Sequence, residues 1–362
     1  MPLGYGYGNA RLRAMRSRLL TPTDYQQLLA KKNLEELIAA LVETPYKGDV
    51  ELALTRLEGV RCVFEAIRTH LARTLRQILT FFEGEPRTLI ELILRRWDRH
   101  NLLTILRGQS QEVSAEIVLT ALTPVGQLDE VSLRELARQP GLRAALDLMT
   151  AWQLPYAGAL RQVRPRIGST PDLDQLELAL NRFYFSSIRA VLKPGDSNHA
   201  LLLEQLKIEL DLINLRTALQ LAHQPGLAAR VQQRYRVSDV RPLLLEPGGS
   251  APVELLAQLV AQGGGIEGIV NGLSQTRYVP ALAEGWRRYQ AGEGDLTVLE
   301  RELERWQAKH LAGMFSRDPL SLAIPLGYIG CKEVEVANLR LITQAVALNL
   351  KRDEIQRDLI MS

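Results

Sequence analysis

The sequence predicts an all-α protein made of three similar helical modules, and two features of the chain support this fold class. First, apolar residues return every three or four positions through most of the 362 residues, which is the spacing of one helix face. Strong helix formers fill these stretches, and the β-branched alternation typical of strands is nearly absent. Second, a set of short landmarks recurs in the same order in each third of the chain.

The helical stretches follow one another from the N-terminus onward. Apolar residues share one face within 28–41, within 71–79 and again within 89–106. Two later stretches, 206–215 and 334–342, are apolar on most sides, which is typical of buried helices. Prolines divide the chain into helices of ordinary length. These prolines include Pro22, Pro45, Pro86, Pro124, Pro140, Pro155, Pro194, Pro247 and Pro280.

Three landmarks define the repeat. A Leu-Thr-Pro triplet at 20–22 returns at 122–124 and, as Leu-Glu-Pro, at 245–247. A tyrosine then closes a helical stretch, at Tyr46, Tyr156 and Tyr278. An acidic residue, two spacers and Asn-Leu come last, and the three asparagines are 113 and 124 residues apart. We therefore expect three helical modules, 1–121 (with the N-terminal segment), 122–244 and 245–362. Units of this size are small domains and not solenoid repeats, and three of them suggest a pseudo-threefold body.

The acid-x-x-Asn motifs are the candidate functional residues. Their spacing places the carboxylate and the amide one turn apart on the same face of a helix. An enzyme would use the acids for acid–base chemistry or as metal ligands, whereas a structural role would be to fix helix packing. We favour the structural role, because one active site rarely occurs three times in equivalent places. A nearby arginine, Arg107, Arg216 or Arg340, could bind each acid. The motif residues are Asp98 and Asn101, Asp211 and Asn214, and Glu335 and Asn338.

No other pattern in the sequence points to catalysis, to a metal or to a cofactor. The five histidines lack the spacing of metal ligands. The glycine run 263–265 lacks the Gly-Lys-Ser/Thr ending of a phosphate-binding loop and predicts a flexible connection between helices. The opening Gly4-x-Gly6-x-Gly8 is not a dinucleotide fingerprint. Cys62 and Cys331 are isolated, and we expect both to be buried apolar groups.

Charge and targeting features point to a soluble protein that binds other proteins. The net charge of +3 is too small to favour nucleic acid as a partner. The N-terminus has glycines and arginines where a signal peptide needs an apolar core. The longest weakly polar run, 320–331, is too short to span a bilayer. The densest basic patch spreads around a helix and is more typical of a protein-contacting or solvated face. It consists of Arg11, Arg13, Arg16 and Arg18.

These landmarks resemble a known family, the C subunit of bacterial and archaeal V-type ATPases and ATP synthases, called the d subunit in eukaryotes. The resemblance spans almost the whole chain, and its most specific part is the C-terminal Tyr with Lys-Glu-x-Glu-x-x-Asn-Leu-Arg. The matching segments are 7–14, Leu19-Leu20, Asp98 with Asn101-Leu102 and 105–107, 209–211 with Asn214-Leu215, and 328–333 with Glu335 and 338–340.

The resemblance implies a funnel of three helical domains around a pseudo-threefold axis with a central cavity. It also implies a non-catalytic socket, peripheral on the cytoplasmic face of the membrane. Such a socket seats on the proteolipid ring, receives the central stalk and passes torque for ion transport. It needs no cofactor, nucleic acid or small-molecule substrate. We expect Arg11, Arg13, Lys332 and Glu333 near rims that meet partners. The alternatives are a helical scaffold unrelated to rotary ATPases and an enzyme using the motif acids.

Overall fold

The computed structural model describes residues 4–163, 172–224, 226–293 and 295–361. Within these ranges the chain forms nineteen α-helices and no strand, so the all-α prediction is confirmed. None of the helices in these ranges combines the length and the apolar character that crossing a membrane requires.

The chain divides into two compact units. The first contains residues up to 180 together with those from 311 onward, and the second contains residues 181–310. Helices α11 and α17 each run across a boundary. The helices are α1 Tyr5–Arg16, α2 Pro22–Leu29, α3 Leu34–Val42, α4 Lys47–Leu54, α5 Gly59–Leu79, α6 Gly84–Ser110, α7 Ala115–Ala121, α8 Glu130–Ala137, α9 Leu142–Ala151, α10 Pro155–Arg161, α11 Leu173–Arg189, α12 Ser197–His223, α13 Leu227–Tyr235, α14 Val253–Ala261, α15 Gly265–Gly272, α16 Val279–Arg288, α17 Thr297–Gly313, α18 Ala323–Ala347 and α19 Arg352–Asp358.

Polar residues at the helix starts explain several of the boundaries. Thr21 caps α2 and forms a capping box with Asp24, while Pro22 occupies the first position of the helix. Asn33 caps α3 and Asp196 caps α12, each accepting from backbone N–H groups of the first turn. The glycine run connects α14 to α15, and Gly263 and Gly265 both have positive φ there.

The landmark tyrosines begin helices, although the sequence pattern predicted that they would end them. Tyr46 and Tyr278 are the N-cap residues of α4 and α16, and Tyr156 lies in the first turn of α10. The local apolar pattern runs across the turn that separates two short helices. Periodicity alone therefore misplaced the boundary.

The core of the first unit is built around α18. Every residue from 323 to 332 is buried, and α18 packs against α1, α2, α3 and α5. In the same unit α6 packs against α7, α8 and α9. The core of the second unit is formed by α12, α14 and α15, with Leu215, Leu256 and Ile269 completely buried. Each of the three long helices α6, α12 and α18 carries one of the predicted acid–asparagine motifs.

Candidate functional site

The first motif attaches α6 to residues 123–128, which include part of the second landmark triplet (122–124) and the loop after it. Asp98 and Asn101 are completely buried. The Asp98 carboxylate accepts hydrogen bonds from the backbone N–H groups of Gln127 (2.8 Å) and Leu128 (2.9 Å). The Asn101 side chain pairs with both main-chain groups of Thr123. Its Nδ2 donates to the carbonyl at 2.8 Å, and its Oδ1 accepts from the N–H at 2.8 Å.

The second motif repeats this geometry between α12 and the third triplet. Asp211 is 1% exposed and accepts from three successive backbone N–H groups of residues 249–251, at 2.6, 2.8 and 3.3 Å. Asn214 pairs with both main-chain groups of Leu245. It donates to the carbonyl at 2.8 Å and accepts from the N–H at 2.7 Å. Both motifs therefore bind a loop that follows them in the sequence.

The third motif binds both ends of the chain. Glu335 on α18 accepts from the backbone N–H of Leu20 at 2.6 Å, which is the leucine of the first triplet. Asn338 pairs with Ile360 near the C-terminus, donating to its carbonyl at 2.8 Å and accepting from its N–H at 3.0 Å. Each acid thus holds the segment that begins the next repeat, and the last acid holds the first repeat.

Each acid also lies near one buried landmark tyrosine. Tyr278 donates its hydroxyl to Asp211 at 2.8 Å, and Tyr46 donates to Glu335 at 2.7 Å. Burial, and then the nearby Asp98 carboxylate, raise the pKa of Tyr156. If the modules are divided at the predicted boundaries, the acid of each module lies near the tyrosine of the next module. The acid of the third module lies near the tyrosine of the first.

The acids are held mainly by main-chain dipoles, and burial disfavours their ionised form. Burial raises the pKa of Asp98, while the N–H groups of Leu128 and Gln127 act in the opposite direction. Burial likewise raises the pKa of Asp211, opposed by the Tyr278 hydroxyl and the N–H groups of the loop. A carboxylate surrounded by donors is a fixed acceptor and has little freedom to shuttle protons.

The third motif carries additional charged groups. Lys332 is 2% exposed and donates to the carboxylate of Glu335 and, at 3.1 Å, to the Tyr46 hydroxyl. Burial lowers the pKa of Lys332, and the Glu335 carboxylate opposes that change. The His70 ring stacks on Tyr46 with centroids 4.1 Å apart, and its Nδ1 lies 2.8 Å from a carboxylate oxygen of Asp49. This repeat therefore contains a buried ion pair within a polar cluster.

Two glycines that the sequence pattern did not single out make room for the acids. A Cβ atom on Gly126 would lie 2.2 Å from the Asp98 carboxylate, and one on Gly249 would lie 2.6 Å from Asp211. Both distances are far below a van der Waals contact. A sequence signal exists, because each glycine stands two residues after the proline of a landmark triplet.

The suggestion that a nearby arginine could bind each motif acid does not describe Arg107 and Arg216, which pair with other carboxylates. Arg107 donates to both carboxylate oxygens of Glu177 at 2.6 and 2.5 Å. Arg216 donates to Glu304 at 3.1 Å. Backbone N–H groups occupy the place that arginines were expected to take, since a tightly closed loop can bring them directly onto the carboxylate.

Comparisons with known proteins find matches over nearly the whole chain. Residues 8–358 match the sequence profile of the family described as "ATP synthase (C/AC39) subunit". The chain belongs to this family. It is 27% identical to the C subunit of the A-type ATP synthase of Archaeoglobus fulgidus, over 99% of this chain and 96% of the relative. It is 28% identical to that of Methanosarcina acetivorans, over 99% and 93%, and 25% identical to that of Methanocaldococcus jannaschii, over 98% and 86%.

Membership in the ATP synthase (C/AC39) subunit family confirms the resemblance seen in the sequence. The chain is a subunit of a rotary ATPase, and it is an accessory subunit of that complex. A helical scaffold unrelated to rotary ATPases is therefore no longer an alternative.

The four residues expected near partner surfaces lie in different surroundings. Arg11 and Arg13 are exposed on α1, and the Arg11 guanidinium lies over the Phe81 ring, 5.1 Å from its centroid. The Glu333 side chain is 27% exposed and forms an ion pair with Arg96. Lys332 is enclosed with Glu335, so its ammonium does not reach the surface of the chain. Of these four residues, Arg11 and Arg13 are the two that are exposed.

Among the described residues, no group of three or more His, Cys, Asp and Glu side chains could hold a metal ion. Each motif acid is bound by a different segment of the chain. Their chemistry is that of acceptors that lock a helix to a neighbouring segment.

Proposed function

We propose that this rotary ATPase subunit is a non-catalytic adaptor between the central stalk and the proteolipid ring of the membrane, and that it transmits torque between them. It would act on the cytoplasmic face, as a peripheral part of the complex. The arrangement of the three modules around a pseudo-threefold axis stays a prediction and belongs to the same proposal.

The observation that carries the proposal is the set of three buried acid–asparagine motifs. A part that transmits torque must resist deformation, and densely packed helices deform little. Each motif replaces a sliding apolar contact by directional hydrogen bonds between a helix and a segment that is distant in sequence. The loops of the first and second motifs are held by four and five such bonds to main-chain groups, so neither can shift without leaving a buried carboxylate or amide unsatisfied.

The exposed arginines of α1 support a contact with another protein. Arg16 stacks its guanidinium over Phe315 at 4.2 Å, and Arg11 stacks over Phe81, so both charges are fixed on the surface by aromatic rings. Asn9 anchors the same helix through bonds of 2.8 and 2.9 Å to the carbonyls of Pro319 and Ser321. A rigid basic helix is suited to an acidic patch on a partner.

The test is co-purification of the tagged chain with the central-stalk subunits and with the ring, at low and at high salt. We expect the tagged chain to retain both partners at low salt. Where binding depends on ion pairs, the amount of partner retained should fall at high salt. Arg13→Glu should reduce retention by about tenfold without a change in melting temperature. Arg143→Glu, an exposed arginine on α9, is the matched control and should have no effect.

Two results would contradict the adaptor role. One is that the unmodified chain retains neither the stalk nor the ring at any salt concentration. The other is nucleotide hydrolysis by the isolated chain that is abolished by Asp98→Asn at an unchanged melting temperature.

A further inference from the structure

The second unit contains an open cleft that the proposed function does not use. It lies between α11, the N-terminal half of α12 and the loop 245–248, and its volume is about 420 Å³. This size is within the range of ordinary binding clefts. All of its lining residues belong to the second unit.

The cleft has an apolar floor and a basic rim. Its floor includes Phe185, Leu206 and Leu210, which are 6%, 5% and 4% exposed. The rim carries three exposed cations and one exposed carboxylate. These are Arg182, Arg189, Lys207 and Glu246. An apolar floor bordered by an excess of positive charge fits an amphipathic ligand with negative charges at its edges.

All three cations keep N–H donors for a ligand. Arg182 donates to the carbonyl of Pro242 at 2.6 Å, which fixes its position on the rim. Arg189 and Lys207 form no hydrogen bond or ion pair with the described part of the chain.

Comparison of the three repeats singles out this cleft. The residue four positions before the motif acid is Leu94 in the first repeat and Cys331 in the third, and these are 1% and 9% exposed. In the second repeat the same position is Lys207, which is exposed at the rim. The rest of the chain therefore covers α6 and α18 at this position, whereas α12 is exposed at Lys207. The open position has a charge where the others have a packed apolar group.

The spacing of the cations matches that of a helix. Arg182 and Arg189 are seven residues apart on α11, which separates their backbones by about 10 Å along the helix axis. Phe185 lies between them in the sequence, and all three residues line the cleft. An α-helix with acidic residues two turns apart would reach both and place apolar side chains on the floor between them.

We propose that this cleft binds an acidic amphipathic helix of another subunit of the same complex. The inference rests on the proposed function, because the partner helix is expected to come from the rotary assembly. The partner helix should carry Asp or Glu at positions i and i+7, with apolar residues between them.

The test is site-specific photocrosslinking in the intact complex. Ser186 lies on the rim of the cleft and is exposed, so it can be replaced by p-benzoylphenylalanine. After irradiation, we expect a crosslink to another subunit that maps to a helical segment with two acidic residues two turns apart. Arg189→Glu with Lys207→Glu should lower the crosslink yield by about tenfold or more. Lys32→Glu with Arg143→Glu is the matched control and should leave the yield unchanged.

The outcomes separate this inference from the proposed function. A crosslink to lipid, a crosslink to a segment without acidic residues, or no crosslink in a complex that still contains stalk and ring would overturn the cleft proposal alone. The same holds if the charge reversals leave the yield unchanged at an unchanged melting temperature. Failure of the unmodified chain to assemble with stalk and ring would overturn the proposed function instead.

Discussion

At the scale of single residues, the hydrogen bonds of the motif acids depend on glycines that allow very close approach. Gly126→Ala would place a methyl group 2.2 Å from the Asp98 carboxylate, so the loop or the acid must move. We expect a loss of roughly 2–3 kcal/mol in the free energy of unfolding, as for other overpacked sites. Urea denaturation followed by circular dichroism measures it.

The control for this substitution is Gly158→Ala within α10. A Cβ at Gly158 would have no atom within 4 Å, so alanine should be neutral or stabilising by up to about 1 kcal/mol. Equal denaturation midpoints for the two variants would show that the close approach of Gly126 to Asp98 is not a constraint.

His70 is expected to make stability depend on pH. Burial lowers its pKa, and this effect outweighs the opposing Asp49 carboxylate, so the folded chain holds His70 neutral at a pH where the unfolded chain protonates it. The unfolded state then binds more protons, and stability falls as the pH decreases below the ordinary histidine value of about 6.5. His70→Gln should reduce this slope by up to about 1.4 kcal/mol per pH unit.

The measurement for His70 is the free energy of unfolding of both proteins at several pH values between about 5 and 8, the range in which histidine titrates. His199→Gln is the comparison, since His199 is buried in the second unit and accepts from the Lys193 N–H at 3.1 Å. Parallel curves for wild type and His70→Gln would contradict the assignment of the acid sensitivity to His70.

The sequence pointed to the acids and asparagines but not to what binds them. Three copies of one spacing were sufficient to select Asp98, Asp211 and Glu335, because a repeated polar pair on an apolar helix is visible in the sequence. Their partners are main-chain N–H groups, which nearly every residue possesses and no sequence pattern distinguishes. The glycines against the acids had a usable signal in their fixed distance from a proline.

At the scale of whole elements, α18 differs from α6 and α12 because its two motif residues hold opposite ends of the chain. Asn338→Ala would leave both main-chain groups of Ile360 without their partner. We expect a loss of about 1–3 kcal/mol and release of the segment after α19. Hydrogen exchange of residues 352–361 measures the release directly.

The comparison for Asn338→Ala is Gln344→Ala, an exposed position of the same helix. It should leave exchange of the C-terminal segment unchanged. If the two variants exchange alike in 352–361, the C-terminal segment is held by apolar packing and not by Asn338.

Helix type was predictable and helix ends were less so. The long helices α6, α12 and α18 carry their periodicity over many turns, and all three were expected. The short helices around Tyr46, Tyr156 and Tyr278 run through turns without a break in apolar spacing. Pro155 and Pro280 lie in the first turns of α10 and α16 and were usable local signals for those starts, whereas α4 begins after Tyr46 without a proline.

At the scale of the molecule, the threefold repeat of the landmarks does not coincide with the division of the chain into compact units. The chain separates into two compact units, while the landmarks recur three times. The boundaries 1–121, 122–244 and 245–362 stay a prediction. The hydrogen bonds show that the acid of each module holds the start of the following one, with Glu335 holding Leu20. The order of the landmarks along the chain could not reveal this closure, because it joins residues 315 apart.

The cyclic order leads to a prediction about how the molecule unfolds locally. Tyr46→Phe removes the hydroxyl from Glu335 in the first unit, and Tyr278→Phe removes it from Asp211 in the second. Each change deletes one bond to a buried carboxylate and should cost about 1–3 kcal/mol. Tyr46 should be the more sensitive, because its hydroxyl also accepts from Lys332. Because the two sites share no partner, the costs should add in the double variant to within about 0.5 kcal/mol.

Hydrogen exchange resolved along the chain distinguishes the two sites. Tyr46→Phe should raise the exchange of α18 and of residues 20–29, and Tyr278→Phe should raise that of α12 and of residues 245–251. A rise in the exchange of α12 in response to Tyr46→Phe alone would mean that the motifs do not stabilise their segments independently of one another. The segments would then be held by a single cooperative core, and the three repeated acids would not be the contacts on which the proposed transmission of torque depends.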